Sequence, residues 1–236
     1  MSAKKKEPTK TGTDNRKTPA VVVNHQAVFL RDAAYFNKRG ATLYGAGAYK
    51  QAVEYYHLAA AMGDVNALSN LGYCYLYGRD IEPDLSLAMA YFEVAVMCGN
   101  PDAAYKLGDI YGSDKWGVKD KEQSVYYYRK ALSFITDEDW EHEPLIKSCN
   151  ELQMFPSLCY AMGRELSKGG AMPTDLGKAY QFLKLAEIGY RRELDKGNDM
   201  YAEAYEGVVN LLLEKQFNKV RGLFDTFGID DDDLPF

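Results

Sequence analysis

A repeating register constrains this chain more than any other feature. It runs as a small residue, aromatics three and four places on, alanine at seven and glycine near eleven. The first copy is Ala52, Tyr55, Tyr56, Ala59 and Gly63. The second is Ala88, Tyr91, Phe92, Ala95 and Gly99. Ser124, Tyr127, Tyr128 and Ala131 make a third, and Ala179, Phe182, Leu183 and Ala186 a fourth, with Gly189 one place early. The copies are 36, 36 and 55 residues apart. Offsets of three, four and seven put these residues on one face of a helix. A period near 36 suits a helix pair and its turns, a unit that buries its apolar face only by stacking on copies of itself. The expected fold is therefore all-α. It is a right-handed solenoid of antiparallel helix pairs, an α/α superhelix of about four to five hairpins.

Each copy is preceded by another helical stretch carrying its own glycine: Gly40, Gly72, Gly108 and Gly163. A glycine inside a helix costs about 1 kcal/mol against alanine. Four aligned ones imply close helix–helix contact, with the aromatics filling the space between hairpins. Gly72 to Ala88, Gly108 to Ser124 and Gly163 to Ala179 are each 16 residues apart, but Gly40 to Ala52 only 12. The first hairpin therefore has the shorter turn. The longer turns carry Gly78, Gly117, Gly169, Gly170, Pro83 and Pro173, as tight reversals require. Asp84 and Asp175 stand where N-caps of second helices are expected.

These residues resemble the Sel-one-like repeat, Leu-Gly-x-x-Tyr-x-x-Gly followed by Ala-x-x-Tyr-aromatic-x-x-Ala and a closing Gly. Leu71, Gly72, Tyr75, Gly78, Ala88, Tyr91, Phe92, Ala95 and Gly99 match it almost throughout. The third repeat departs with Asp114 and Ser124, and the fourth with Met162 and Leu166. The first is similar to a plain tetratricopeptide hairpin. The resemblance spans roughly 34–190 and implies a protein–protein interaction scaffold; such a fold names no partner by itself. By the same resemblance the inner helix face lines a concave groove. The matching positions are Asn37, Ala41, Tyr44, Ser69, Tyr73, Tyr77, Tyr105, Asp109, Tyr160 and Arg164. Tyrosine is a frequent anchor in such surfaces.

Around the repeats, residues 1–24 read as a disordered basic arm, with Lys4, Lys5, Lys6, Lys10, Arg16 and Lys17 and few large apolar residues. The repeats run through 25–190. An insertion at about 134–155 accounts for the 55-residue step. Its run Thr136-Asp-Glu-Asp-Trp-Glu-His-Glu143 reads as a solvated loop, and Pro144 as the first turn of a short helix reaching Gln153. Residues 191–227 read as a closing helix pair, the atypical end unit a solenoid needs. Residues 228–236 form an acidic tail.

Composition narrows the function classes. A net charge of −6 argues against a general nucleic-acid binder. Cys74, Cys98, Cys149 and Cys159 show no metal-type pairing and read as free thiols in a reducing compartment. No apolar run marks a signal peptide or a membrane span, so the default expectation is a cytoplasmic protein. His25, His57 and His142 have no ligand spacing, and there is no phosphate loop or nucleophile elbow. No catalytic residue, metal or cofactor is expected. The acids of the insertion, Asp137, Asp139, Glu141, His142 and Glu143, leave metal-assisted hydrolysis as the least favoured alternative.

The tail reads Asp230, Asp231, Asp232, Asp233, Leu234, Pro235 and Phe236. It resembles the acidic tip of bacterial single-stranded DNA-binding proteins, Asp-Asp-Asp-(Ile or Leu)-Pro-Phe. That tip docks on enzymes of replication, recombination and repair. Phe236 offers a ring for an apolar pocket, its carboxylate suits terminal capture, and the aspartates suit a basic rim. The resemblance implies a docking tail on a repeat scaffold; the alternative is a generic adaptor whose tail is inert.

Overall fold

A computed structural model describes residues 25–78, 81–143, 146–169 and 171–226. The basic arm and the acidic tail proposed from the sequence lie outside the described residues, as do Pro144 and Gly170. Among the described residues there are helices and turns and no strand. Helix α1 (His25–Gly45) pairs with α2 (Tyr49–Ala61), α3 (Val65–Tyr77) with α4 (Leu85–Met97), and α5 (Pro101–Gly112) with α6 (Lys121–Ile135). The short α7 (Cys149–Leu152) precedes the pair α8 (Pro156–Lys168) and α9 (Leu176–Asp195). Contacts of α2 with α3 and of α4 with α5 stack one hairpin on the next, so the all-α solenoid is the observed fold. The three longer turns leave α4, α6 and α9 capped by Asp84, Asp120 and Asp175, which accept from the backbone N–H three residues on at 2.8, 2.9 and 2.9 Å. Replacing Asp175 by alanine should lower stability by about 1 kcal/mol. The check is the urea midpoint, with Asp195→Ala, an exposed acid in the last turn of α9, as the comparison expected to be neutral or slightly stabilising.

The aligned glycines have a specific use. A methyl on Gly72 would lie 2.6 Å from the Phe92 ring, one on Gly108 2.5 Å from Tyr128, and one on Gly40 2.7 Å from Tyr56. On Gly163 it would meet Leu183 at 2.6 Å. The side chain four places into the register thus presses on the glycine of its own hairpin. Tyr56, Phe92, Tyr128 and Leu183 are all buried. The residue three places in also stacks within its hairpin: Tyr91 lies on Tyr75 with centroids 5.6 Å apart, and Tyr127 on Tyr111 at 5.7 Å. Tyr91 also meets His57 of the first hairpin at 6.2 Å, and Tyr127 packs against the core of the second, so the rings three places in fill the space between hairpins as expected, while those four places in are spent within one. A ring needs a flat seat, and a helix offers one where it has no Cβ.

The fourth repeat departs from the register at its end. Gly63 and Gly99 follow α2 and α4 with φ of 86° and 84°, a left-handed conformation that favours glycine. Gly189, taken from the sequence as the equivalent, is instead buried inside α9, which runs on to Asp195. The left-handed closing glycine is Gly197, at φ 82°. Residues 191–195, assigned from the sequence to a closing pair, therefore belong to α9. Beyond it, a 3₁₀ turn (Asp199–Tyr201) leads to α10 (Ala202–Leu212), and a second one (Lys215–Phe217) to α11 (Asn218–Thr226). Both helices lie against α9. Val208 and Phe217 are fully buried there, Phe217 beside Tyr180 at 6.1 Å.

The insertion is folded rather than solvated throughout. Trp140 is buried edge-on to Phe182 at 5.6 Å, and Ile146 is buried with its N–H donating to Gln181 Oε1 at 2.8 Å. The Glu138 carboxylate accepts from the backbone N–H groups of Lys147 and Ser148 at 2.7 and 2.8 Å. Three successive N–H groups thus bond to side chains, which explains why helix begins only at Cys149. Asp137 is exposed, Asp139 contacts His142 at 2.9 Å and Glu141 pairs with Arg129 at 2.6 Å, and no cluster fit for a metal is present among the described residues.

Candidate functional site

The first helices α1, α3, α5 and α8 present a common face. It carries the tyrosines that the hairpin register does not use. Two clefts divide the predicted groove residues. Tyr44, Tyr73 and Tyr77 come together with Tyr56, Asn70 and Met200 around a space of about 430 Å³. Tyr73 also lines a second cleft with Tyr105, Asp102, Phe155 and Tyr201, of about 140 Å³. A third, of about 280 Å³, adjoins it and shares Asp102, Phe155 and Tyr201.

The other predicted groove residues are tied up beside these clefts. Asn37 accepts from the Asn70 amide at 2.9 Å, linking the first two hairpins. Ser69 is buried and Ala41 is exposed, and neither lines a cleft named here. Asp109 pairs with Lys106 at 3.1 Å. Tyr160 sits under Gly207, where a methyl would lie 2.7 Å from its hydroxyl, and Arg164 stacks over its ring at 5.1 Å. The Arg164 Nε is buried and has no hydrogen-bond partner among the described residues. Tail residues 230–236 lie outside the described residues.

Sequence reasoning missed several contributors, among them Asn70, Asp102, Lys106, Phe155, Met200 and Tyr201, and gave Tyr56 a packing role only. Asp102 and Lys106 flank Tyr105 at helical spacing, a signal available in the sequence. Met200 and Tyr201 were hidden because the end of α9 breaks the register. The turn after Gly197 carries them back onto the first-helix face, where Tyr201 meets Tyr190 at 5.5 Å.

Electrostatics on this face are set by partial burial. Lys106 is itself buried, with its ammonium 5.4 Å from the Tyr73 ring centre and 5.2 Å from that of Tyr105. Burial pushes the hydroxyls of Tyr73 and Tyr105 well above the usual tyrosine range, with nearby carboxylates adding to the shift. Tyr190 is pushed up to about 12, again chiefly by burial. These phenols stay neutral at physiological pH and act as ring faces and hydrogen-bonding groups. Asp102 as a residue is open to solvent, yet surrounding atoms crowd its carboxyl and raise its pKa. His57 is exposed on α2, its ring 3.4 Å from the Tyr75 hydroxyl. Cys74, Cys149 and Cys159 are buried and Cys98 is exposed, and none of the four is in a disulfide. No described helix is long and apolar enough to cross a membrane.

Comparisons with known proteins agree with this architecture. A stretch of 104 residues is 38% identical to chitin synthase regulatory factor 1 of Schizosaccharomyces pombe. The match covers 41% of this chain but only 22% of that protein, so the chain spans about a fifth of the curated relative's length. The fold is similar to that of a Sel1 repeat protein from Oxalobacter formigenes, with a TM-score of 0.50 and 20% identity over 73% of this chain and 65% of the other. The Sel1 repeat description matches residues 33–64, 65–100, 101–133 and 156–187, which are the four hairpins described above. With more than half of its length in those four matches, the chain belongs to the Sel1 repeat family.

Proposed function

We propose that this protein is a non-enzymatic scaffold that holds a partner protein along its first-helix face. One observation carries the reading. The cleft of about 430 Å³ between Tyr44, Tyr73, Tyr77 and Met200 is walled by large side chains that hairpin packing leaves unfilled. Tyr77 remains 41% exposed and Met200 77%. Aromatic and methionine side chains held partly open suit a docking surface, since they offer large apolar area at small ordering cost. The similarity to a regulatory factor fits a protein that acts by holding others. Met200→Glu places a charge in the cleft and disturbs little packing. In side-by-side affinity capture, partners held by the native chain should be lost from this variant, with the urea midpoint within about 0.5 kcal/mol of native. Identical capture by both chains overturns the groove reading.

The acidic segment 230–236 extends the proposal. Its last six residues, Asp231 to Phe236, resemble the tip of bacterial single-stranded DNA-binding proteins, and they would dock this scaffold on enzymes that read that tip. Four aspartates steer the approach, and Pro235 limits the ordering cost of seating Phe236. Binding of the full chain to such an enzyme should weaken at least tenfold when Phe236 is removed, and should fall with added salt. Equal binding with and without Phe236 sinks the docking role and leaves the tail inert.

A further inference from the structure

We infer that the outer face of α1 is a receptor for the acidic segment Asp230–Asp233 of a second copy of this chain, so that copies associate head to tail. The tail is the one treated above, but the receptor is new, and the contact does not depend on an enzyme reading that tail.

Charge is spread unevenly along the array. Between Ala33 and Val53 there are three cations, Lys38, Arg39 and Lys50, and no acid. All three are exposed, and none pairs with an acid among the described residues. Later hairpins set acids beside their cations, as with Lys106 and Asp109 or Arg129 and Glu141. At the far end of the chain four aspartates follow Ile229 in succession, with no cation after them. Because the chain as a whole is acidic, its positive first hairpin is where such a segment meets attraction instead of repulsion.

Helix geometry gathers the cations of α1 on one side. Arg31, Tyr35, Lys38 and Arg39 recur at steps of three and four along one face, and all four are exposed. Gly40, on the opposite side, is buried against Tyr56 of α2. Asp32 lies 3.7 Å from Arg31 at the edge of this face, which leaves Lys38 and Arg39 without an acid partner.

Length matches as well as sign. A helix carries Arg31 to Arg39 across about 12 Å. An extended chain carries Asp230 to Asp233 across about 10 Å. Tyr35, 62% exposed between the cations, offers a ring on which Leu234 or Phe236 can lie. A nucleic acid gains less here, since one short row of cations meets few phosphates and the acidic remainder repels a polyanion.

Topology makes the occupant a second copy. Helix α1 opens the array, α10 and α11 close it against α9, and the basic face is the side of α1 that α2 does not cover. A contact between that face and the tail therefore joins the end of one copy to the start of the next. Such a contact is heterologous and repeats from copy to copy.

Sedimentation velocity of the full chain over a range of concentrations provides the test. The sedimentation coefficient of the native chain should rise with concentration and fall back with added salt. Lys38→Glu with Arg39→Glu, and separately Asp231→Lys with Asp232→Lys, should each weaken association at least tenfold, with the urea midpoint unchanged. All four substitutions in one chain should restore it, because the charges are exchanged. A native chain that stays monomeric at every concentration overturns the proposal. Association that either pair of substitutions leaves unchanged does so too, as does a folded four-substitution chain that fails to associate. If Lys38→Glu with Arg39→Glu shifts the Asp232 NMR signal equally at all concentrations in a monomeric chain, the tail sits on its own α1 and the second copy falls. If oligothymidylate shifts the Tyr35 amide signal at lower concentration than the peptide acetyl-Gly-Ile-Asp-Asp-Asp-Asp-Leu-Pro-Phe does, the face reads nucleic acid and the tail is not its ligand.

Discussion

Replacing Phe92 by alanine should lower the free energy of unfolding by about 3–5 kcal/mol, read from urea denaturation. Phe92 is fully buried, and its ring lies on the bare backbone of Gly72, edge-on to Tyr73 at 5.2 Å. Removing it opens a cavity between two helices whose seat is too stiff to collapse, so the loss falls at the upper end for a large apolar side chain. Position in the array adds a second effect. Repeats are stabilised by nearest-neighbour interfaces, and the second hairpin joins the first to the third. The transition should therefore broaden, with a smaller dependence on urea, as the two sides unfold separately. Phe92→Leu should cost only about 1 kcal/mol, because Leu183 fills the same seat over Gly163 in the fourth hairpin. A loss for the alanine variant no larger than for the leucine one would show that the ring-on-glycine contact carries little.

Gly189→Val should cost about 3 kcal/mol, in the range for forcing carbon into packed space. A methyl on Gly189 would collide with the backbone carbonyl of Gln153 and approach Pro156 Cβ at 2.9 Å. A backbone oxygen held between two helices cannot swing aside as a flexible side chain can. The helix preference of a larger residue returns less than about 1 kcal/mol. Gly45→Ala is the control. It is also helical, has nothing within 4 Å, and should be neutral or slightly stabilising. The consequence reaches the groove. Gly189 sits beside Tyr190 and Arg192, which hold Tyr201 and Gln153 at the clefts. A folded remainder of Gly189→Val should therefore show shifted Tyr201 NMR signals. Unchanged stability and unchanged Tyr201 signals would mean that α9 can slide on α8.

How much could be read from the chain depends on whether a residue repeats. Hairpin count, the aligned glycines and the caps at Asp84 and Asp175 were legible because the same stereochemistry recurs at a fixed spacing, so each copy corroborates the next; that each glycine seats the side chain four places into the register was not, because it depends on how the paired helices face each other. Gly189 misled because identity at nearly the right position outweighed its surroundings. Its helix continues, and the left-handed turn falls at Gly197 instead. Trp140 was invisible as a core residue because it sits in an acidic run, and only Phe182, far along the chain, makes it one. The groove was half legible. Tyr44, Tyr73, Tyr77 and Tyr105 follow from helix face, but the clefts they line are completed by residues about 100 positions or more further on in the case of Tyr73.

By itself, the sequence determined the unit: two helices, a glycine on one, a ring on the other, and a cap at the turn. Those are local interactions of spacing and shape, decided within some forty residues. The tertiary structure alone decided where the array ends and what its open face offers. Once α9 outruns the register and the chain turns back at Gly197, Met200 and Tyr201 are delivered to the face of α1, α3 and α5. No periodicity encodes that meeting, because it depends on how the stacked hairpins curve and on backbone contact at Gly189. The pattern that opened the sequence accounts for how the hairpins hold together; the residues outside it form the surface a partner can meet.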